Sequence, residues 1–335
     1  MKVLSLFDGM ACGMIAMQFA GMEVESYDAY EIDKYAIKTA QHNFPMIKEH
    51  GDVFGADFTQ YDGVDFLIGG SPCTYWSIAQ TKNRETVASG MGWELFSQYV
   101  RALHEAKPKY FIYENNKSMS KAIRASIDEA FGFEAVLINS ALVSAQNRQR
   151  LYWVGKRNPD GTYSQVPVEQ PVDKGILLRD VLDSGVAWNE KAYNLTTRCC
   201  GAIPEDTLKR HRHTMVAEPI EPRRVAQRGR YPENLKSRIA GLPTEQMFEA
   251  REDGKTHQVY EVRNGLITIK GKQYPIKLKD GYYIIRKLTV RECMRLQTVP
   301  EWYEFPVSNS QAYKMLGNGW TVDVIAHILK GLKEA

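Results

Sequence analysis

Asp65-Phe66-Leu67-Ile68-Gly69-Gly70-Ser71-Pro72-Cys73 decides how this chain is read. The apolar run that opens it predicts a buried strand, and the Gly69-Gly70 pair ends that strand. One thiol then stands on a stiff loop at the strand's carboxyl end. In α/β proteins, ligands and chemistry gather beyond those ends. Pro72 fixes its own φ and restricts Ser71, so the backbone carrying Cys73 is held in advance. An ordinary thiol has a pKa of about 8.5 and needs help to act as a nucleophile near neutral pH. Free Cys also serves as a small core residue, and the loop alone leaves the two readings balanced.

Outward from this loop, strand and helix alternate. Strands are expected at Val3–Phe7, Glu23–Tyr27, Tyr110–Tyr113, Glu134–Asn139 and Leu151–Val154. Helices are expected at Met14–Ala20, Tyr35–Asn43, Trp93–Ala106 and Lys121–Ala130. Such alternation predicts a doubly wound sheet with helices on both faces. The short link before Leu151 suggests an antiparallel closing pair. From about Pro159 the chain turns rich in Pro, Gly and charge. Short strands at 258–269 and 273–285 are broken by Asn264-Gly265 and Asp280-Gly281, which reads as a smaller loop-rich domain. Helices resume at Thr289–Leu296 and Val322–Leu332 and are expected to return to the first domain.

Four further groups join Cys73. The turn Asp8-Gly9-Met10-Ala11-Cys12-Gly13 follows the first strand and lets backbone approach a ligand. Glu31 follows the second strand, where an acid suits ribose hydroxyls. A plain tight turn explains the glycines equally well. Glu114 ends the Tyr110 strand on the rim that Cys73 occupies, the alternative being a helix cap. Arg148 and Arg150 alternate onto one face, where two cations can tune a thiol and a carboxyl. A surface charge pair is the plainer account.

Composition sets limits. With 335 residues, 25% charged and 44% hydrophobic, the chain suits one large and one small soluble domain. No run approaches the ~18 apolar residues of a membrane span. The start, Met1 to Asp8, turns acidic too early for a signal peptide, and no N-terminal extension is expected. Five cysteines without a C-x-x-C pair predict neither zinc nor a disulfide framework, and a reducing, cytoplasmic setting. The net charge of +3 says little, but the stretch Arg198 to Arg238, with Arg228 and Arg230 near its centre, is strongly basic. Charge alone favours a solvated loop over a phosphate-binding face.

The motifs together resemble the DNA cytosine-5 methyltransferases. Phe7-Asp8-Gly9-Met10-Ala11-Cys12-Gly13 resembles their first motif, Gly70-Ser71-Pro72-Cys73 their nucleophile motif, and Glu114-Asn115-Asn116 their Glu-Asn-Val motif. Gln146-x-Arg148-x-Arg150 matches the Gln-x-Arg-x-Arg signature. Residues 286–297 resemble the ninth motif and Leu316 to Val322 the tenth. All six stand in family order across nearly the whole chain. Asn116 departs from the family's Val, and Gly319-Trp320 from its commoner small-small pair.

The resemblance implies a class I S-adenosylmethionine-dependent methyltransferase fold: a Rossmann-like, doubly wound mixed sheet with a smaller, loop-rich, mostly β target-recognition domain. The catalytic part would span 1–158 and 284–335, and target recognition 159–283. Cys73 would add to C6 of a flipped-out cytosine. Glu114 would contact N3, Asn115 would brace the Pro72-Cys73 loop, and Arg148 would hold the base and activate the pair. Arg150 would be a structural or phosphate contact. S-adenosyl-L-methionine would meet Phe7, Asp8, Gly9, Ala11 and Gly13 at its methionine end. Glu31 would take the ribose, and Ile32, Asp52 and Val53 the adenine. Asn318, Gly319 and Trp320 would complete the pocket. The product would be S-adenosyl-L-homocysteine, and no metal is implied. The partner would be double-stranded DNA, met by Thr197, Arg198, Arg228 and Arg230. A monomeric, nucleoid-associated enzyme of a bacterium or phage is expected, with no membrane role. A cognate restriction endonuclease and an unpartnered enzyme are equally consistent. Two other readings compete. The transfer-RNA branch has a shorter recognition region and a Cys-Phe-Thr tripeptide, absent here. Intact Cys73, Glu114 and Arg148 argue against a catalytically silent DNA-binding homologue.

Overall fold

Alternating side chains build a sheet covered on both faces. Along Tyr110–Asn116, Tyr110 and Ile112 enter one core while Phe111 and Tyr113 enter the other. That pattern requires helices above and below. The computed structural model describes residues 1–78, 82, 84–197, 201, 203–220, 247–250 and 256–334. Its first sheet contains β1 Lys2–Leu6, β2 Ser26–Tyr30, β3 Lys48–Glu49, β4 Phe66–Gly69, β5 Tyr110–Asn116, β6 Val136–Asn139, β7 Gln149–Arg157 and β8 Tyr163–Gln165. The strand order is β3-β2-β1-β4-β5-β7-β6, with β8 on β7. The strands β1 to β5 pair in parallel, while β7 runs antiparallel to β5, β6 and β8. Helices α1 Cys12–Phe19, α2 Lys34–Asn43, α3 Met91–Ala106 and α4 Lys121–Phe131 fill the connections.

This is the expected doubly wound mixed sheet. One strand lies later than its sequence suggested: β2 starts at Ser26, not Glu23. Pairing decides this, because Ser26 sits opposite Lys2 and Tyr30 opposite Leu6, which places Tyr27 and Ala29 in the core. The order reverses between β1 and β4, and such switch points open a crevice at the strands' carboxyl ends. Gly69 allows the two strands to close up there. A Cβ on Gly69 would stand 2.4 Å from the Leu6 carbonyl oxygen.

A second, antiparallel sheet follows, preceded by the helix α5 Pro204–Arg210. It contains β9 Met215–Ile220, β10 Met247–Ala250, β11 Thr256–Arg263, β12 Leu266–Ile269, β13 Lys272–Pro275 and β14 Gly281–Lys287. The order is β13-β12-β11-β14-β9, with β10 on β11. Two-residue turns at Asn264-Gly265 and Lys270-Gly271 have positive φ at both positions, the turn that suits the twist of a hairpin. The sheet has its own core around Val262, Ile267 and Tyr283, and β14 carries it on to Lys287. The helices α6 Val290–Leu296, α7 Asn309–Asn318 and α8 Val322–Glu334 then pack into a core of the first sheet. Tyr303 OH donates to the Met10 carbonyl at 2.6 Å, and Ile325 and Leu329 share a core with Ile15 of α1. Among the described residues, no helix is long and apolar enough to cross a membrane.

Candidate active site

After β4 the chain makes one 3-10 turn at Cys73–Tyr75. Ser71 before it is buried and doubly held. Its hydroxyl lies 2.6 Å from Tyr113 OH, and its carbonyl accepts from Asn115 Nδ2 at 3.0 Å. Tyr113 is itself wedged against Trp153, 5.6 Å between ring centroids. Gly70 lets this loop touch β5, since a Cβ there would stand 2.6 Å from the Glu114 carbonyl oxygen. Cys73 is partly exposed at the cleft, and burial raises its thiol pKa above the ordinary value. Arg150 and Arg148 oppose that rise, while Glu114 adds to it.

Strand pairing explains the next contact. Asn116 faces Arg150 and Glu114 faces Tyr152, so Glu114 and Arg150 are diagonal neighbours on one face. Arg150 Nε meets Glu114 Oε1 at 3.0 Å, and Trp320 Nε1 donates to Glu114 Oε2 at 3.0 Å. The cation paired with Glu114 is thus Arg150, while Arg148 turns to another wall of the cleft. Arg148 Nη1 donates to Asn194 Oδ1 and the Leu195 carbonyl at 2.9 and 3.1 Å. Its Nη2 donates to the carbonyls of Gly317 and Gly319 at 3.2 and 2.8 Å. Burial pulls the Arg148 guanidinium down to about 9, with Arg150 adding to the effect.

The same cleft, about 190 Å³, continues to the end of β1. Phe7, Asp8, Gly9, Glu31, Asn318, Gly319 and Trp320 line it together with Pro72, Cys73, Glu114, Arg148 and Arg150. Asp8 Oδ1 accepts from Ser5 Oγ at 2.5 Å and Tyr27 OH at 2.6 Å. Asp8 Oδ2 is buried without a partner among the described residues. Glu31 is fixed by three amides at 2.8 Å, those of Gly9, Ile32 and Asp33.

Five residues expected to meet the cofactor do not reach the cleft wall. Ala11 and Gly13 are buried behind it. The smallness of Gly13 serves packing, because a Cβ there would stand 2.4 Å from Ile68 Cδ1. Ile32 lies beside the wall, 75% exposed. Asp52 and Val53 follow β3, with Val53 buried and its carbonyl held by Arg101 at 2.9 Å. The sequence reading missed Cys12, Thr74, and Lys314, which lines the cleft and pairs with Asp33 at 2.7 Å. It also missed Glu49 of β3. Burial lifts that carboxyl to about 8, Asp8 and Glu31 adding to the rise, and neither of its oxygens has a partner among the described residues. No local motif marks Lys314 or Glu49. Among the described residues, no cluster of His, Cys, Asp and Glu is arranged to hold a metal.

The wall is shared with the segment that precedes α5. A Cβ on Gly317 would meet Thr196 C at 2.5 Å and Thr197 N at 2.6 Å, both backbone atoms that cannot swing aside. Gly317→Ala is therefore expected to cost about 1–3 kcal/mol, read as a lower urea midpoint. An unchanged midpoint would mean that the seam is slack. Gln297 ties the same seam, donating to the Gly319 carbonyl at 3.0 Å and accepting from Gln146 at 3.1 Å. Thr197 is exposed at this edge; Lys209, Arg210 and Arg212 of the basic stretch are exposed as well. Arg198, Arg228 and Arg230 lie outside the described residues.

The C-5 cytosine-specific DNA methylase family model matches residues 1–334. The orphan methyltransferase M.SPRI of Bacillus phage SPR is 27% identical over 432 residues, covering 99% of this chain and 97% of the relative. The type II methyltransferase M.FnuDI of Fusobacterium nucleatum is 28% identical over 349 residues, covering 100% and 94%. The crystal structure of S. pombe Dnmt2 methyltransferase shares the fold, with a TM-score of 0.59 at 15% identity, over 99% of this chain and 98% of that one.

Proposed function

The chain belongs to the C-5 cytosine-specific DNA methylase family, and from that premise we propose that Cys73 attacks a cytosine turned out of double-stranded DNA. Membership makes the chain a DNA cytosine-5 methyltransferase that uses S-adenosylmethionine. The finer reading is carried by one observation. A single cleft is lined by Cys73, Glu114 and Arg150 and also by Asp8 and Glu31.

The chain's residues fit the cofactor. The unpartnered Asp8 Oδ2 suits an ammonium group, and Glu31, already fixed by backbone amides, suits a pair of ribose hydroxyls. Ile32 offers apolar surface to adenine, with Asp52 and Val53 beyond it. When bound, S-adenosylmethionine supplies an electrophilic methyl group. Asn318, Gly319 and Trp320 would close the wall between that group and the base.

At the other end, the target base must leave the duplex to enter. Cys73 Sγ would bond to C6 of the ring. A proton held between Glu114 and N3 would draw electrons from the ring as the thiolate adds, leaving C5 nucleophilic. After methylation, the C5 proton is lost and Cys73 is expelled, restoring the aromatic ring. Covalent addition divides one hard step into easier ones. Arg150 would steady Glu114 and favour the thiolate, and Asn115 would hold the Pro72-Cys73 loop. Arg148 would keep the base wall and the cofactor wall in one frame.

Residues 1–158 and 284–335 are assigned to catalysis, and 159–283 to target recognition. A second sheet with its own core supports two units, although β8 at 163–165 stays with the first sheet and β14 of the second runs on to Lys287. Thr197, Arg198, Arg228 and Arg230 are proposed to meet DNA. The test is base-resolution conversion sequencing of plasmid DNA from cells expressing wild type or Cys73→Ala. A protected cytosine in one fixed context, present only with wild type, is expected. Protection with both proteins, or with neither, would overturn the reading.

Asp8 adds a pH signature. Burial pushes its carboxyl up to about 6, against the bonds from Ser5 and Tyr27 and with help from Glu31. Below that pH the carboxyl is protonated and cannot pair with an ammonium group. Affinity for S-adenosylmethionine is expected to fall as pH drops through about 6, by up to about tenfold per unit. Calorimetric titration checks this. Asp8→Asn should flatten the dependence, while Glu49→Gln should keep it. A flat wild-type profile would remove Asp8 from the binding role.

A further inference from the structure

Cys73 lies between two anchored points, and both anchors lead to the short turn after β5. Upstream, Asn115 Nδ2 donates to the Ser71 carbonyl at 3.0 Å. It can do so because the amide oxygen is turned away, accepting from Asn116 N at 2.8 Å and Asn116 Nδ2 at 3.1 Å. Asn116 Oδ1 in turn accepts from Ser118 Oγ at 2.6 Å. Downstream, Ser118 Oγ accepts from Ile78 N at 3.4 Å. The Ser118 carbonyl accepts from Arg84 Nη2 at 2.7 Å, while Arg84 Nε holds the Trp76 carbonyl at 3.1 Å. Trp76 N closes the turn on the Cys73 carbonyl at 3.1 Å. One relay, Ser71–Asn115–Asn116–Ser118–Ile78, therefore grips the nucleophile turn on both sides.

Chemistry gives this relay a direction. Asn115 and Asn116 are 1% and 5% exposed, so an unmet donor or acceptor there has no water to turn to. Asn116 stands where the resembling motif carries Val. A Val would keep the backbone bond to Asn115 and lose both side-chain bonds. The link between the two halves of the relay would then be gone. Neither Asn116 nor Ser118 lines the cleft.

We propose that Asn116 and Ser118 are positioning residues that tie Ser71 to Ile78 and so set where Cys73 Sγ stands. The inference rests on the reading of Cys73 as the nucleophile. Reacting groups held in a near-attack geometry lose rate steeply when they shift by fractions of an ångström.

The test is single-turnover methyl transfer from labelled S-adenosylmethionine to duplex DNA carrying the wild-type target, with separate binding measurements for DNA and cofactor. Asn116→Val and Ser118→Ala are each expected to slow transfer about tenfold. Both affinities should stay within about twofold, because neither side chain touches a ligand. Ser118→Thr, which keeps the hydroxyl, should restore most of the rate. The double variant should be no slower than the slower single one, because both break the same relay. Ser118 is only partly buried, so Ser118→Ala keeps the test decisive if Asn116→Val fails to fold. Wild-type rates in Ser118→Ala, or losses that multiply in the double variant, would overturn the relay and leave the functional reading standing. No transfer by wild type would overturn both.

Discussion

Cys73→Ser is expected to bind target DNA at near wild-type affinity and to lose at least about 10⁴-fold in methyl transfer. The substitution changes one atom at the end of a loop whose backbone is held by other groups. Ser71 bonds to Tyr113 and Asn115, and Pro72 fixes the entry to the turn. Nothing in that scaffold depends on sulfur, so the fold and the DNA-facing surface should survive. What is lost is the nucleophile. Burial already raises the Cys73 pKa, and the opposing influence of Arg150 and Arg148 is what keeps a thiolate within reach. A hydroxyl begins so far higher that the same two cations cannot bring it within reach of neutral pH. Cytosine fluorinated at C5 gives a second readout, because fluorine cannot leave as a cation and the adduct accumulates. Wild type should form a denaturant-stable complex with such DNA, and Cys73→Ser should form none. Methylation by the serine variant at more than a trace would remove Cys73 from the nucleophile's place.

The parts of this site that the sequence made legible are those governed by local backbone chemistry. The Gly69-Gly70 pair, Pro72, and the apolar runs of β4 and β5 say where strands end and where a loop is stiff. They led to Cys73, Glu114 and the Asp8-Gly9 turn, which meet in one cleft. What the sequence leaves open depends on how distant segments pair. Whether Arg148 or Arg150 meets Glu114 follows from the register of β7 on β5, which no spacing within Gln146 to Arg150 reveals. Gly13 was read as a ligand contact because glycine after a first strand suits one. Its smallness instead answers to Ile68 and Tyr27, packed across the sheet. Glu49 carries no motif and becomes notable only when β3 brings it within the field of Asp8 and Glu31. Asn116 looked like a mere departure. Only the folded turn shows that its amide has a donor on one side and an acceptor on the other.

Glu114→Gln is the sharper test of chemistry, with an expected loss of about 10²–10⁴-fold in single-turnover rate. Glutamine has the same shape, and its amide oxygen can still accept from Trp320 Nε1. Two things change. The group can no longer hold a proton against N3, so the ring keeps its electrons as Cys73 approaches. Arg150 also loses the carboxylate that meets its Nε at 3.0 Å and is left as an uncompensated cation beside the base. A purely structural account predicts a different ranking. If the carboxylate only anchored its neighbours, removing the Trp320 bond would cost about as much as removing the charge. Trp320→Phe cuts that 3.0 Å bond and spares the ion pair. It is expected to cost about 10–100-fold, the worth of one hydrogen bond to a charged group. A loss in Glu114→Gln at least tenfold beyond that of Trp320→Phe, at unchanged cofactor affinity, assigns Glu114 to the proton on N3. Equal losses in the two variants would instead make it an anchor for the wall, and the electrophilic push on the ring would have to come from Arg150.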